Sequence, residues 1–483
     1  MKKLSTFILC TILVFGFIVR LYRFNNPIAD WHSFRQSDTN AVSQIFVNNG
    51  INLLYPKYFD ISNVQSGKDN PKGYRFVEFP LYNAVQVLLF KSIGWAGITL
   101  EESGRLISIL ATLAGSLFIY LLTRKYAGNA SGFFSALFYL FLPFSIFYGR
   151  TVLPDELMAT AILGGIYFFD IAISKKNSQF LIFNFQFWLA ILFTASSFLL
   201  KPYALFFTLP FFYLAFQRFG IYFLKKWQLF LFLILSTAPL VAWRFWIGNY
   251  QEGIPVSAWL FNGNGIRFRP SFFRWIFYER ITRLILGYAG VIFLSAGIFQ
   301  VLKHKNKGFF ISFLLSSLIY LFVMATGNVQ HDYYQILIIP TLSMFSGIGV
   351  LWLYNKLRRI GGQFLGFGVC VGIAVICFLL SWNSVRDFFN INDGVMVKSA
   401  YGARKVLPKD ALIIAPYDGS TTFLNLIQRQ GWPVLEKSVD QLSLMGAEYL
   451  VLANPTKNDF EGFGKQYKIF ASSSSYLILQ LKK

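Results

Sequence analysis

An acidic residue that stands just before a predicted helix is the first candidate for chemistry. Asp38 precedes a helical stretch, residues 39–47, which ends at Asn48-Asn49-Gly50. Its carboxylate could act as a general base that takes a proton from an attacking hydroxyl, or it could cap the free backbone N–H groups of the first helical turn. Arg35, three residues earlier, could bind a phosphate or pair with Asp38. From the sequence, Asp38 could be either a base or a helix cap, and Arg35 could either bind a phosphate or form an ion pair.

Two further charged residues border apolar stretches. Glu78 directly precedes residues 80–94, and a carboxylate at membrane depth is costly unless it is paired. We expect a site residue there, with a helix-end cap as the alternative. Lys201 separates two apolar spans that have almost no loop between them. A lysine at that depth suits a lipid phosphate, although its amine could also extend to the lipid head groups.

A third group of charges follows the third predicted span. Arg150, Asp155 and Glu156 stand there, with Pro154 before the two acids. Proline followed by acids is also an ordinary helix start, because proline tolerates the first turn and acids complement the positive end of the helix dipole. A helix start and a site that uses these carboxylates are compatible interpretations.

Two later segments complete the candidates. Residues 266–283 place arginines, including Arg274 and Arg280, among aromatic residues, which is a membrane-surface pattern. Aromatic residues with arginines can also bind nucleic acid, but the predicted position outside the cytoplasm argues against that partner. Near the end of the ninth predicted span stand His331, Tyr333 and Tyr334. We expect them to bind substrate, although a lone histidine more often packs with a hydrogen bond.

These residues are set in a strongly apolar chain. Of its 483 residues, 55% are apolar and only 14% are charged, whereas a soluble globular protein carries about 25% charged residues. The composition excludes a disordered chain and argues against an ordinary soluble enzyme. Apolar runs of about 18 residues predict membrane-spanning helices.

The runs predict a polytopic α-helical membrane protein with eleven spans. The predicted spans are residues 4–21, 106–123, 131–148, 157–174, 180–200, 203–216, 227–247, 284–302, 308–326, 336–354 and 364–381. Residues 80–94 are too short and polar for a span, so we expect a juxtamembrane helix in the interface.

The distribution of charge predicts the orientation. With the N-terminus in the cytoplasm, the cytoplasmic turns hold fifteen Lys or Arg residues and no acid, Asp170 near a span end being the only acid on that side. This asymmetry follows the positive-inside rule. It predicts a multi-pass protein of the plasma (inner) membrane, with residues 23–105, 248–283 and the tail on the outer side.

The tail after Trp382 alternates strand and helix patterns. Residues 411–416, 449–453, 467–471 and 476–481 predict strands, and residues 421–429 and 439–444 predict helices, which indicates a small α/β domain. No Gly-rich phosphate loop opens its helices, so no catalysis is assigned to it. The predicted domains are 1–382, which includes the outer loop 23–105, and 383–483.

The motifs together resemble a known family, the GT-C fold membrane glycosyltransferases that take sugar from a polyprenyl phosphate. Among its members, the chain resembles protein mannosyltransferase-like proteins and the aminoarabinose transferase of lipid A. The resemblance covers residues 4–382 and consists of short motifs in a shared order, namely Gln36-Ser-Asp38-Thr, Glu78-Phe-Pro80, Val152-Leu-Pro-Asp155, Lys201-Pro, Phe272 to Arg280, and His331-Asp-Tyr333-Tyr334 with Pro340.

The sequence also departs from the family's pattern at two places. Some relatives have a lysine directly after the glutamate, where this chain has Phe79, so that Arg75 or Lys72 could supply the charge. Some relatives carry a metal-binding histidine in the aromatic loop, where this chain has Arg280. The three cysteines, Cys10, Cys370 and Cys377, form no CxxC pair. The sequence assigns no cofactor and leaves a divalent metal as an open alternative.

The resemblance implies a lipid-linked sugar donor, an envelope glycan, lipid or protein as acceptor, membrane lipids as surroundings and no nucleic acid. It implies catalytic roles for Asp38, Glu78 and Asp155, and substrate contacts for Glu156 and the residues near His331. The donor phosphate would be held by basic side chains, namely Lys201, Arg150, Arg35, Arg75, Arg274 and Arg280. A flippase or transporter of lipid-linked sugar, or a non-catalytic envelope scaffold, is the alternative function.

Overall fold

Helices make up most of the chain in the computed structural model, which describes residues 2–174 and 182–481. In chain order the helices are α1 Lys2–Val19, α2 Ser33–Asn49, α3 Leu81–Ile93, α4 Leu100–Ala127, α5 Asn129–Phe141, α6 Pro143–Tyr148, α7 Asp155–Ser174, α8 Phe185–Leu200, α9 Leu209–Phe219, α10 Trp227–Ile247, α11 Trp259–Asn262, α12 Pro270–Phe273, α13 Gly290–Leu302, α14 Lys307–Val323, α15 Ala325–Gln330, α16 Ile339–Val385, α17 Gly394–Val406, α18 Thr422–Ile427, α19 Val439–Leu444 and α20 Lys457–Gln466. Short 3₁₀ segments and a π-helix, Arg274–Ile285, join several of them.

Contacts divide the chain into two compact units. The first unit contains Met1–Tyr22, Leu106–Trp243 and Ser257–Asp387, and the second contains Arg23–Arg105, Arg244–Val256 and Phe388–Lys483. The predicted domain ranges placed the loop 23–105 with the membrane helices. The contacts in the structure group this loop with the tail instead.

The first unit is a bundle of apolar helices. Within the described ranges, five helices are long and apolar enough to cross a membrane, or six if one pair that bends by 114° counts as one span. Four shorter apolar helices are also present, at Lys3–Val19, Asn129–Phe141, Phe185–Leu200 and Lys307–Val323. The structure therefore confirms a multi-pass helical membrane protein but not the predicted number of eleven spans.

Helix breaks explain part of this difference. The predicted span 131–148 is two helices, because Leu142 is extended (φ −57°, ψ 125°) before Pro143, as the residue before a proline usually is. The predicted span 364–381 and most of the predicted span 336–354 lie within α16, which is broken at Gly361 and Gly362. Gly362 has φ 81°, a left-handed conformation that glycine adopts without a steric cost.

The second unit contains a five-stranded mixed sheet. Its strands are β1 Ile413–Ile414, β2 Gly431–Trp432, β3 Tyr449–Ala453, β4 Lys468–Ser472 and β5 Tyr476–Gln480, in the order β2-β1-β3-β5-β4. β1 pairs in parallel with β2 and β3, whereas β5 pairs antiparallel with β3 and β4. The predicted small α/β fold of the tail is therefore observed, with α17, α20 and β2 as elements that the sequence did not indicate.

The core of the second unit joins the early loop to the tail. Successive strand residues face opposite sides of the sheet, and one side forms a buried cluster with helix residues from both parts of the chain. Val42 and Phe46 of α2 lie in this cluster together with Phe423, Leu424 and Ile427 of α18. The helix that carries Asp38 is therefore supported by the C-terminal residues.

Candidate functional site

The helix that carries Asp38 starts earlier than predicted. α2 begins at Ser33, after His32 in a left-handed conformation (φ 53°), so Asp38 lies inside the helix rather than before it. The alternative in which Asp38 caps this helix is therefore wrong. Asp38 is 2% exposed, and a buried carboxylate inside a helix needs partners other than the backbone N–H groups of the first turn.

Two side chains hold the Asp38 carboxylate, one on each oxygen. Arg75 Nη2 lies 2.6 Å from Oδ2, and the Thr421 hydroxyl donates a hydrogen bond of 2.7 Å to Oδ1. The Arg75 guanidinium also lies over the ring of Tyr58, 5.0 Å from its centroid. Because each carboxylate oxygen has room for about two hydrogen bonds, Asp38 can accept a further hydrogen bond.

A second ion pair lies beside this one. Arg35 Nη2 is 2.5 Å from Oε1 of Glu78, and both side chains are largely buried. Together with Asp38 and Arg75 they line one small cleft, whose wall also includes Asn83 of α3. We call Asp38, Arg75, Thr421, Arg35 and Glu78 the Asp38 cluster. The helix expected at residues 80–94 is α3, which starts three residues after Glu78.

The first unit contains a different cluster around Lys201. α8 ends at Leu200, and Lys201 is extended before the 3₁₀ segment Pro202–Thr208. Its Nζ donates a 2.7 Å hydrogen bond to Oδ1 of Asp155, the first residue of α7. Lys201 and Asp155 are 5% and 3% exposed. In an ion pair this well buried, the attraction between the two groups offsets the water that both have lost.

Three tyrosine rings surround the Lys201 ammonium. Its Nζ lies 5.9 Å from the ring centroid of Tyr203, 5.4 Å from that of Tyr333 and 5.8 Å from that of Tyr334. Aromatic faces attract a cation at such distances. We call Asp155, Lys201 and these three tyrosines the Lys201 cluster. The structure thus brings Tyr333 and Tyr334 together with Lys201 and Asp155, as a shared site requires.

Other predicted residues of the first unit form pairs near one another in the fold. Arg280 Nη1 lies 3.5 Å from Oδ2 of Asp332, and the Tyr148 hydroxyl donates to the same carboxylate. His331 stacks on Tyr333 with 5.4 Å between ring centroids. This contact agrees with the packing interpretation of that histidine.

The remaining predicted residues differ in their burial. Glu156 is buried and accepts a 3.1 Å hydrogen bond from the Tyr139 hydroxyl. Arg150 is also buried, with its guanidinium 5.7 Å from the ring centroid of Phe147. Arg274 is largely exposed and lies 3.5 Å from Glu279, so Arg280 is better placed than Arg274 for a role in an enclosed site.

A metal site in the part of the chain that the structure describes would need several side chains that could bind the ion together. No three His, Cys, Asp or Glu side chains there lie close enough together to hold a metal ion. Of the three cysteines, Cys10 is exposed and Cys370 and Cys377 are buried. A divalent metal therefore remains an open alternative, for which residues 2–174 and 182–481 offer no group of ligands.

Two residues of the clusters were not predicted from the sequence. Thr421 was expected only at the start of a helix in a domain without catalysis, and Tyr203 only in an apolar span. Thr421 lies 383 positions from Asp38 in sequence, and no local pattern indicates so distant a partner. Tyr203 follows Lys201-Pro202 directly, and an aromatic residue beside a buried lysine is a signal that could have been used.

Comparison with known proteins finds one family model and several solved structures that are similar to this chain. Residues 87–246 match the family model of the dolichyl-phosphate-mannose-protein mannosyltransferases. No curated protein sequence matches the chain. Among solved structures, ArnT from Cupriavidus metallidurans in the apo state aligns with a TM-score of 0.66 at 11% identity, over 99% of this chain and 98% of that one.

Two further solved structures are similar. ArnT from Cupriavidus metallidurans bound to undecaprenyl phosphate has a TM-score of 0.62 at 11% identity, over 98% and 97% of the two chains. The archaeal oligosaccharyltransferase AglB from Archaeoglobus fulgidus, in complex with an inhibitory peptide and a dolichol-phosphate, has a TM-score of 0.59 at 10% identity, over 94% and 70%. The resemblance expected from the sequence is confirmed at the level of the fold, and the matched family model covers about a third of the chain.

Proposed function

We propose that this chain transfers a sugar from a polyprenyl-phosphate donor to an envelope glycan, lipid or protein on the outer face of the membrane, with inversion at the anomeric carbon. The matched family and the fold support the class of reaction. One of the similar structures holds undecaprenyl phosphate and another a dolichol-phosphate, which supports a lipid-linked donor here.

The observation that carries this proposal is the environment of Lys201. The Lys201 ammonium, which is buried in an ion pair with one carboxylate and lies beside three tyrosine rings, is a cation that water does not screen. Such a group stabilises charge that develops in a transition state much more than an exposed lysine does. When the sugar leaves a polyprenyl phosphate, that charge grows on the phosphate oxygen, so Lys201 is suited to bind the donor phosphate.

The Asp38 cluster supplies the base in this proposal. The acceptor hydroxyl gives its proton to a carboxylate oxygen of Asp38 while its oxygen forms the bond to the anomeric carbon. The bond between that carbon and the phosphate oxygen breaks, and the electron pair leaves with the polyprenyl phosphate. A single displacement inverts the configuration. Arg75 and Thr421 hold the carboxylate in one orientation, which reduces the entropy cost of the proton transfer.

The other predicted residues have supporting roles in the proposal. Glu78 holds Arg35, which with Arg75, Arg150, Arg280 and Arg274 provides positive charge for the donor phosphate. His331, Glu156 and the paired tyrosines Tyr333 and Tyr334 are proposed to contact substrate. Asp155 pairs with Lys201 and is the second candidate for a catalytic carboxylate.

Orientation and location are also proposals. The fifteen positive residues predicted in the cytoplasmic turns support a cytoplasmic N-terminus and an outer position for the second unit. Lys175 and Lys176 of that count lie outside the described residues. The same argument supports the plasma (inner) membrane.

The test is transfer by the purified full chain in detergent. A panel of synthetic polyprenyl-phosphate sugars is incubated with envelope extracts as acceptors, and free polyprenyl phosphate and labelled product are measured together. Stoichiometric release of both supports the proposal. In parallel, liposomes with the reconstituted chain test for movement of an intact lipid-linked sugar across the bilayer. Movement without bond cleavage would establish the flippase alternative and overturn this proposal.

A further inference from the structure

The second unit contains a cavity outside the two clusters described above. It has a volume of about 420 Å³. Its lining includes two lysines and three tyrosines as well as the C-terminal end of α2, namely Tyr55, Lys57, Lys72, Tyr74, Tyr250 and Asn49. We call it the lysine–tyrosine pocket. None of these residues takes part in the reaction proposed above.

Two short extended segments form one wall of this pocket. The backbone N–H of Tyr58 donates to Gly73 O at 2.8 Å, and that of Arg75 donates to Pro56 O at 2.9 Å. Lys57 and Tyr74 form an antiparallel bridge between these hydrogen bonds. Because successive residues of an extended segment point to opposite sides, the two segments have two different faces.

Each face lines a different cavity. One face carries Pro56 and Arg75, which line the cleft of Asp38. The other carries Lys57 and Tyr74, which line the lysine–tyrosine pocket. The pocket and the Asp38 cleft therefore share a wall that is one backbone thick.

The charge of the pocket is positive. The ammonium groups of Lys57 and Lys72 lie 5.8 Å and 5.7 Å from the ring centroid of Tyr74. Within residues 2–174 and 182–481, neither ammonium group forms an ion pair with a carboxylate. Two cations without acidic partners at the mouth of a cavity attract an anion. A phosphate monoester, with a charge of about −1.5 to −2 at neutral pH, matches two lysines better than a singly charged group does.

The aromatic residues of the pocket add a second kind of surface. The rings of Tyr55, Tyr74 and Tyr250 lie 5.6 to 6.0 Å apart between centroids, and the hydroxyls of Tyr55 and Tyr250 are 3.2 Å apart. Tyrosine offers an apolar ring face together with a polar hydroxyl. The exposed amides of Asn49 and Asn52 stand at the rim. Apolar faces with a few polar groups suit a sugar ring, which has both apolar C–H and hydroxyl surfaces.

We propose that the lysine–tyrosine pocket binds a saccharide that carries a phosphate group. Its identification as part of the acceptor rests on the proposed function. Asn49 follows Asp38 by eleven residues in α2, a distance of about 16 Å along the helix at 1.5 Å per residue. Because the shared wall separates the pocket from the Asp38 cleft, the pocket holds a part of the acceptor other than the reacting hydroxyl, and it selects acceptors that already carry a phosphate.

This inference is tested by measuring sugar binding in the absence of the polyprenyl-phosphate donor, so the result does not depend on sugar transfer. The full chain in detergent is titrated with maltotriose phosphate. Maltotriose, which lacks the phosphate, is the uncharged control ligand. The test variant is Lys57→Gln with Lys72→Gln. A matched control, Lys398→Gln with Lys405→Gln, removes two exposed lysines of α17 and changes the net charge equally. A third variant, Lys57→Arg with Lys72→Arg, retains the charge.

We expect the wild type to bind the phosphorylated sugar at least tenfold more tightly than maltotriose. The test variant should lose this preference, whereas the control and the arginine variant should keep it. Equal binding of the two sugars by the wild type, or an equal loss in the α17 control, overturns the proposal. Binding of short-chain phosphatidylglycerol that depends on Lys57 and Lys72, without binding of maltotriose phosphate, would assign the pocket to lipid head groups instead and also overturns it. If no transfer is ever detected but this binding pattern holds, only the acceptor assignment fails.

Discussion

Thr421 donates a hydrogen bond of 2.7 Å from its hydroxyl to Oδ1 of Asp38. Asp38 lies in the loop between the first two predicted spans, whereas Thr421 directly precedes α18 in the tail. A residue of the C-terminal part thus orients the carboxylate that we propose as the base. The C-terminal part is therefore expected to matter for catalysis although it carries no catalytic motif of its own.

The role of Thr421 can be tested by removing only its hydroxyl. Thr421→Val keeps the shape of the side chain, and we expect kcat for transfer to fall about tenfold with an unchanged KM, since a hydrogen bond to a charged group is worth about 1.5–3 kcal/mol. Thr421→Ser should retain most of the activity. The matched control is Thr422→Val, which removes the neighbouring buried hydroxyl that contacts Ser33. An equal loss in this control would show that the effect is structural.

Asp38→Asn is expected to reduce transfer about a hundredfold or more, because the amide cannot accept the proton. It also leaves the buried Arg75 without its carboxylate, which should lower stability by about 3 kcal/mol. Asp38→Asn combined with Arg75→Gln removes both charges. We expect a thermal melt in detergent to show recovered stability in this double variant, while transfer stays low. A fully active Asp38→Asn variant would exclude Asp38 as the base and leave Asp155 and Glu78 as candidates.

Lys201→Gln is expected to raise the KM for the lipid donor about ten- to a hundredfold, since it removes a charge-assisted contact to the phosphate. The same change leaves Asp155 buried without its partner and should lower the melting temperature. Adding Asp155→Asn should restore the melting temperature but not the affinity for the donor. If Lys201→Gln has the wild-type dependence on donor concentration, Lys201 is a structural residue only.

Asp60 should make the stability of the chain depend on pH. Burial raises the pKa of Asp60 from 3.8 to about 6, with a smaller contribution from the negative charge of Asp38. Between these two values the unfolded chain has lost the proton while the folded chain retains it, so the free energy of unfolding falls as the pH rises from about 3.8 to about 6. The expected fall is about 3 kcal/mol, at 1.36 kcal/mol per pKa unit.

Melting temperatures in detergent across this pH range measure the effect. Asp60→Asn should remove this component of the slope and be more stable than the wild type at pH 8. The control Asp69→Asn changes an exposed carboxylate of the same unit, which pairs with Lys437, and should keep the wild-type slope. An unchanged slope in Asp60→Asn would contradict the raised pKa.

The segment after Trp382 is expected outside the cytoplasm, because the predicted cytoplasmic turns carry fifteen positive residues and no acid. A C-terminal alkaline phosphatase fusion should be active, and a fluorescent-protein fusion exported by the same route should be dark. Fusions at position 126, in a predicted cytoplasmic turn, provide the opposite control. An inactive phosphatase fusion with a bright fluorescent fusion would reverse the orientation and the outer position of the site.

The sequence predicted the helices and strands better than the side-chain pairs that form between distant segments. Apolar periodicity located most helices, including α3 and α19, because that signal is local. The start of α2 was missed by six residues, since His32 precedes it in a left-handed conformation rather than a typical cap. The number of spans was not obtained, because apolar length does not show the breaks at Leu142 and Gly361.

The pairs in the clusters depend on long-range packing. Lys201 and Asp155 are 46 residues apart, and Asp38 and Arg75 are 37 residues apart. The sequence offered Arg75 as a ligand of the donor phosphate, and the structure places its guanidinium against the carboxylate of Asp38. Charge type predicted which side chains belong in a site, but only the fold determines which of them meet.

The packing of α2 against α18 also affects how the chain folds while it is being synthesised. Asp38 leaves the ribosome early, and its partner Thr421 follows 383 residues later. At about 5–20 residues per second, the delay is about 20 to 80 seconds. During that interval the apolar side of α2, with Val42 and Phe46, has none of its α18 partners. A nascent chain of this protein therefore needs some protection for this helix until its last hundred residues arrive.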